Sequence, residues 1–141
     1  MSRAVQLTCV AIGGRGLLIA GAPGSGKSSL ALALIDRGAM LVGDDGVMVE
    51  ASGGRLIAAA HPNTSGKLEV RNLGLLDFPV SPPVPAALLV RLETAAPRYI
   101  DQAQDSDIEG ISLPSVALWP ESAVLALRAE LALSRYGLTF S

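Results

Sequence analysis

The chain has 141 residues and a net charge of −2, from 11 Lys and Arg against 13 Asp and Glu, and half of its residues are apolar. This length and apolar content fit one domain over residues 1–141, with a core of Leu, Val, Ile and Ala because aromatics make up only 4%. The absence of a basic cluster argues against a nucleic-acid surface, and Gly, Pro or a charge interrupts every apolar run short of a membrane span.

The first six residues lack the apolar core of a signal peptide. Residues 5–12 are short and β-branched, which predicts a strand. The single cysteine, Cys9, lies in it and reads as a buried small hydrophobe. A lone cysteine allows no internal disulfide, so a reducing, cytoplasmic setting is expected. A glycine-rich turn at 13–16 returns the chain into a second strand ending at Ala20. Then Gly21, Ala22, Pro23, Gly24, Ser25, Gly26, Lys27 and Ser28 spell the phosphate-cradling pattern G-x-x-x-x-G-K-[ST]. Its glycines let the backbone approach an anion, and successive N–H groups point inward at phosphate oxygens. Lys27 is expected to reach the β- and γ-phosphates, and the Ser28 hydroxyl to ligate Mg²⁺. An apolar strand before the loop and a helix starting at Lys27 give the context that this pattern requires. The dinucleotide fingerprint G-x-G-x-x-G fails, because Ser29 stands where its third glycine or alanine is needed.

The helix is predicted to run to about Arg37, with Gly38 as a left-handed cap. A brief strand at 40–42 delivers Asp44 and Asp45 at its carboxyl end. Residues 47–49 and 56–58 flank a hairpin turn at 52–55. Residues 61–67, with the only histidine, His61, read as a polar loop, and 68–71 alternate as a strand. Residues 79–85, rich in proline, read as an extended connector that proline keeps out of any central strand. Strands follow at 87–92 and 116–119, with 101–109 a mobile or partner-facing stretch between them. Ser122 is placed as the cap of a last helix that runs to about Tyr136 and ends at Gly137. Strands interleaved with a crossover helix predict an α/β class built on one mixed sheet.

A phosphate loop names a nucleotide, not a reaction. If the strand before Asp44 runs parallel to the one before the loop, the Asp44–Asp45 pair falls beside the triphosphate. One carboxylate can then hold the metal or its waters while the other accepts a proton from an attacking hydroxyl. A solvated turn explains the pair equally simply. Glu69 and Arg71 share one face of a strand, and a neutralised surface pair is the simplest reading of those two residues alone.

Taken together, these residues resemble the catalytic domain of the HPr kinase/phosphorylase family. The resemblance rests on residues 21–45, from the phosphate loop to the phrase ending Leu41-Val42-Gly43-Asp44-Asp45, and on residues 68–75, Leu-Glu-Val-Arg-Asn-Leu-Gly-Leu. A weaker likeness covers Arg98 and residues 110–114. The compact length is similar to the short proteobacterial members, which lack the N-terminal domain of the long ones. The resemblance implies a P-loop fold similar to that of phosphoenolpyruvate carboxykinase. It also implies an ATP- and Mg²⁺-dependent serine kinase acting on the phosphocarrier HPr of the sugar phosphotransferase system. In that family inorganic phosphate can remove the group again to give pyrophosphate, and members are often hexamers. Carried over, Lys27 binds phosphates, Ser28 and Glu69 serve Mg²⁺, Asp44 is the base towards serine, Asp45 supports the metal and its waters, and Arg71 lies at the active centre.

Three positions depart from the family pattern. Gln6 stands in the register of a histidine on the first strand, Ser29 where an acid is usual, and Asn72 where glycine is usual. They motivate the alternative of a catalytically weakened module that senses nucleotide or phosphate. A small-molecule P-loop kinase is disfavoured, since such enzymes carry arginine-rich lids and the arginines here are scattered along the sequence.

Overall fold

In the computed structural model, which describes residues 1–140, eleven strands and two helices follow in chain order. The strands are β1 (Arg3–Val5), β2 (Thr8–Ile12), β3 (Arg15–Gly21), β4 (Met40–Gly43), β5 (Val47–Ser52), β6 (Arg55–Ala60), β7 (Lys67–Val70), β8 (Gly74–Asp77), β9 (Val84–Leu92), β10 (Gln104–Ile108) and β11 (Ile111–Leu118). Helix α1 (Lys27–Asp36) follows β3, and α2 (Leu125–Tyr136) is the last element.

The main sheet runs β1-β5-β6-β9-β3-β2-β4, with β11 also on β9 and β10 on β11. Strand β9 is where it forks: Val84 and Pro85 pair with β6, while the other end pairs with β11 from Leu89 to Leu92. Strands β3, β9 and β11 are parallel and the other pairings antiparallel, so the mixed α/β sheet expected from the sequence is present.

Strand alternation divides the core between two faces. Leu17, Ile19 and Val90 pack with Leu30 and Leu34 of α1 and with Ala129 and Leu133 of α2. Leu18, Cys9 and Leu89 face the other way, onto Val47, Val49 and Leu56 of the β5–β6 hairpin, which the curled sheet brings over them. A register shift in the β3–β9 pairing, where Gly16 pairs Ala86 and Leu17 pairs Leu88, leaves Ala87 as an extra residue. Ala87 and Leu88 consequently both join the helix-side core. Cys9 is fully buried, as its setting in the sequence suggested, and burial pushes its thiol far above the usual range.

Several elements differ from the sequence reading, each for a local reason. Residues 5–12 are not one strand: a bend at Gln6 separates β1, which pairs with β5, from β2 in the middle of the sheet. Val84 and Pro85 belong to β9 rather than to a connector. Proline is tolerated there because pairing with β3 begins only at Ala86. The polar stretch Gln104–Ile108 is an edge strand on β11, closed by a turn whose Glu109 and Gly110 both have positive φ, 52° and 79°. Strand β8 pairs with β7 in a separate two-stranded hairpin although its residues are exposed. Ser122 caps the turn before α2, its Oγ accepting the Val124 N–H, and not the helix itself. Gly38 takes the expected left-handed cap, with φ 108°. Gly137 ends α2 in an extended conformation instead.

At Gly43 the backbone passes too close to its neighbours for any side chain. A Cβ there would collide with the Gly46 carbonyl oxygen and stand 2.6 Å from Val47 Cγ1. Gly43→Ala is therefore expected to lower stability by about 1–3 kcal/mol, since backbone has to shift to admit the methyl. Urea unfolding checks this, and an unchanged midpoint would show that the turn yields freely.

Candidate functional site

Strand β4 runs antiparallel to β2, and β2 antiparallel to β3. Strands β3 and β4 therefore point the same way with β2 between them, and their carboxyl ends open on one side of the sheet. The phosphate loop follows β3 and the Asp44–Asp45 pair follows β4, so both fall on that side. The expected parallel relation holds in direction, although the two strands are not hydrogen-bonded neighbours. Hairpin β7–β8 supplies the third wall: Leu68 is buried in the helix-side core, which anchors Glu69 and Arg71 beside the loop.

One cavity of about 220 Å³ results. Its lining takes in Pro23, Gly24, Ser25, Gly26, Lys27, Ser28 and Ser29 from the loop and helix start. Asp44, Asp45, Glu69 and Arg71 complete it. Gly21 and Ala22 are not in the lining. Their carbonyl oxygens accept hydrogen bonds from Lys27 Nζ at 2.8 and 3.4 Å. Arg71 follows the last residue of β7 rather than sharing its face with Glu69. It still reaches the loop, its Nη2 lying 3.9 Å from where a Cβ on Gly24 would stand. His61 stays outside the cavity in its loop, where Nδ1 accepts the Asn63 N–H at 3.1 Å. Gln6 is exposed in its bend and does not line the cavity.

Asp44 is the centre of the polar contacts. Its Oδ1 accepts from Ser28 Oγ at 2.7 Å and from Thr8 Oγ1 at 3.1 Å, and its Oδ2 accepts the Glu69 N–H at 3.1 Å. Thr8 is fully buried, and its oxygen also accepts the Asp45 N–H at 3.1 Å. One threonine on β2 thus fixes both aspartates. The sequence reading missed Thr8, because a threonine in a β-branched run reads only as strand propensity. Its role appears only once β2 is known to lie next to β4. The neighbouring backbone is strained at two points: Asp45 has φ 54° and Asn72 has φ 74°. Asn72 therefore occupies the left-handed region in which a glycine costs nothing, and Asn and Asp are the side chains that tolerate it best.

The cradle fits a phosphate chain. Gly26, with φ 101°, is the N-cap of α1, which has no side-chain cap and no acid in its first turn. The first N–H groups of a helix have no partner within it, so these amides suit an anion. Ser25 Oγ is buried without a hydrogen-bond partner among the described residues. No three His, Cys, Asp or Glu side chains among the described residues converge enough to hold a metal by themselves. Mg²⁺ in nucleotide sites needs no such cage, since one or two carboxylates, a hydroxyl, water and phosphate oxygens complete its shell.

Residues 1–81 match the family model described as HPr Serine kinase C-terminal domain. The chain belongs to that family. Its HPr kinase fold is that of a solved relative, the Hpr(Ser) kinase/phosphatase from Coxiella burnetii, at a TM-score of 0.83 and 26% identity over 94% of each chain. The HPr kinase/phosphorylase of Limosilactobacillus reuteri is 33% identical over an alignment of 144 residues, which covers 86% of this chain and 45% of that protein. The Clostridium tetani protein of the same name is 52% identical over 66 residues, or 47% of this chain and 22% of that protein. The chain thus spans less than half the length of these two curated relatives. The family resemblance read from residues 21–45 and 68–75 is borne out, as is the fold that it implied.

Thr8→Val removes the hydroxyl that joins Asp44 to Asp45 while nearly keeping its shape. It leaves the Asp45 N–H without its partner and Asp44 with one donor fewer. A loss of about 1–3 kcal/mol in urea unfolding is expected. Unchanged stability would mean that water replaces the hydroxyl at no cost.

Proposed function

We propose that this chain is an ATP- and Mg²⁺-dependent serine kinase whose acceptor is HPr or an HPr-like phosphocarrier. The observation that carries the reading is the convergence on Asp44 of donors from three places: the phosphate loop through Ser28, β2 through Thr8, and the β7–β8 hairpin through Glu69. An ionised carboxylate has about four acceptor positions. The second oxygen of Asp44 takes one donor, so it can still face a substrate hydroxyl.

In this reading the triphosphate lies along residues 21–28, against the N-terminus of α1. Lys27 exchanges its carbonyl partners for phosphate oxygens, and the positive end of the helix opposes the charge. Mg²⁺, when bound, neutralises charge on the phosphates, and Ser28 with Glu69 would hold it. Asp44 accepts the proton of the attacking serine as its oxygen bonds to the γ-phosphorus and the bond to ADP breaks. Asp45 would support the metal and its waters, and Arg71, over the loop at Gly24, would neutralise the transferred group. Beyond residues 22–25 a second cavity of about 560 Å³, bounded in part by Leu92, Ala95 and Pro120, has room for the nucleoside. The reverse reaction, in which inorganic phosphate takes the group to give pyrophosphate, uses the same cradle. A cytoplasmic setting belongs to the same proposal.

A protein acceptor suits the surface beside the chemistry. Leu73, Leu75 and Leu76 on the hairpin are 70%, 68% and 37% exposed, close in sequence to Arg71. A small-molecule kinase would instead need a closing lid rich in arginine over this cavity, and Arg71 is the one arginine in its lining.

Lys27→Ala should weaken ATP binding by at least about tenfold in calorimetry, one missing charge-assisted contact being enough for that. Undiminished affinity would contradict the assignment of the loop. Asp44→Asn should lower transfer to HPr by about 10²–10⁴ while ATP still binds. Retained transfer by that variant would place the base elsewhere.

A further inference from the structure

The arginines that look scattered in the sequence are not scattered in the fold. Arg98, from the loop after β9, and Arg128 and Arg135, from α2, line one groove of about 340 Å³ outside the nucleotide cavity. Each guanidinium lies over an aromatic ring: Arg98 on Tyr99 at 5.5 Å, Arg128 on Trp119 at 6.0 Å and Arg135 on Tyr136 at 5.7 Å. None of the three makes an ion pair among the described residues, and no carboxylate lines the groove. Glu130, the acid on α2, is engaged by Arg37. Within a chain of net charge −2, this concentrates unpaired positive charge at one place.

The platform is also rigid and partly apolar. Trp119 Nε1 donates to the Ala96 carbonyl at 2.6 Å, and the Tyr136 hydroxyl donates to the Ile100 carbonyl at 3.1 Å. These bonds pin the loop after β9 to α2 and to the end of β11. Trp119 is still 40% exposed, and Leu131, between the two helix arginines, is 68% exposed. A guanidinium stacked on a ring keeps its N–H edge free for a carboxylate, and stacking lowers the entropy lost when that bond forms.

We infer that this groove docks a protein segment in the polyproline II conformation carrying two carboxylates three residues apart with an apolar side chain between them. Arg128 and Arg135 are one heptad apart, which is about 10 Å along a helix. Side chains three residues apart in a polyproline II segment fall on the same side, about 9 Å apart. The apolar side chain then rests on Leu131 and the Trp119 ring. The net charge of −2 disfavours a continuous polyanion such as a nucleic acid, and the exposed Leu131 between the two arginines favours a segment with an apolar side chain between its acids. The inference stands apart from the kinase reading, because it uses no residue of the phosphate loop.

The test is fluorescence anisotropy with a short labelled peptide of Glu-Pro-Leu repeats, alongside the same peptide with Gln for Glu. The natural protein should bind the acidic peptide at least about tenfold more tightly than the amide version, and less tightly as salt rises. Arg128→Glu with Arg135→Glu should lose at least about tenfold in that affinity. Arg98→Glu, on a loop, provides a second variant should the helix variant fold poorly, and should also weaken binding. Lys27→Ala should bind the peptide as the natural protein does, even where it loses ATP. Equal binding of both peptides, undiminished binding by the arginine variants, or no binding by the natural protein would overturn the inference. So would displacement of the acidic peptide by a single-stranded oligonucleotide at lower concentration than by unlabelled peptide. Self-association of the natural protein in sedimentation that the arginine variants abolish would also overturn it, with a second copy as the occupant.

Discussion

The site depends on one carboxylate. Asp44 stands at the end of β4 and accepts hydrogen bonds from the phosphate loop, from the strand between β3 and β4, and from the hairpin that carries Glu69 and Arg71. An acceptor with three donors is held in orientation more firmly than a surface aspartate, because moving it breaks three hydrogen bonds at once, one of them to the fully buried Thr8 hydroxyl. The contact also explains why β2 carries a buried threonine. A hydroxyl that donates to Asp44 and accepts from the Asp45 backbone ties the two aspartates to a strand they do not belong to. The left-handed backbone at Asp45 and Asn72 lies around this carboxylate, and such strain persists only where the surroundings fix it.

The sheet makes the convergence possible. Two strands of the same direction with an antiparallel one between them bring the ends of β3 and β4 to one edge without a direct hydrogen bond. The fork at β9 does the rest. Its first residues turn the sheet into the β6–β5 hairpin that closes the back of the core, while its last residues join β11 and carry the chain to α2. The cavity at the phosphate loop and the arginine groove share no lining residue.

What the sequence made legible was whatever it wrote contiguously. The phosphate loop, its helix, the cap at Gly38 and the Asp44–Asp45 pair are consecutive patterns with local physical causes, and all stand where expected. So does the β5–β6 hairpin, with its paired glycines in the turn. The second motif was legible only by resemblance, because Glu69 and Arg71 read alone as a surface pair. Thr8 was not legible, since its partner lies 36 residues away and only the pairing of β2 with β4 unites them. Strand β10 was hidden by composition: Asp105 and Asp107 look like loop residues, yet an edge strand tolerates charge on its open side. Pro85 misled in the opposite sense, because the rule against proline in a central strand does not apply where one neighbour has not yet begun to pair. The arginine groove was invisible for the same reason as Thr8. Arg98, Arg128 and Arg135 come from two elements and meet only when α2 packs against the end of β11.

The most direct measurement is the intact mass of HPr after incubation with this protein, ATP and Mg²⁺. A gain of one phosphate, removed again on adding inorganic phosphate with release of pyrophosphate, is the result expected of a site in which Asp44 serves a serine hydroxyl. An unmodified HPr, from a preparation that binds ATP through Lys27, would contradict the kinase reading and leave the cradle as a nucleotide sensor.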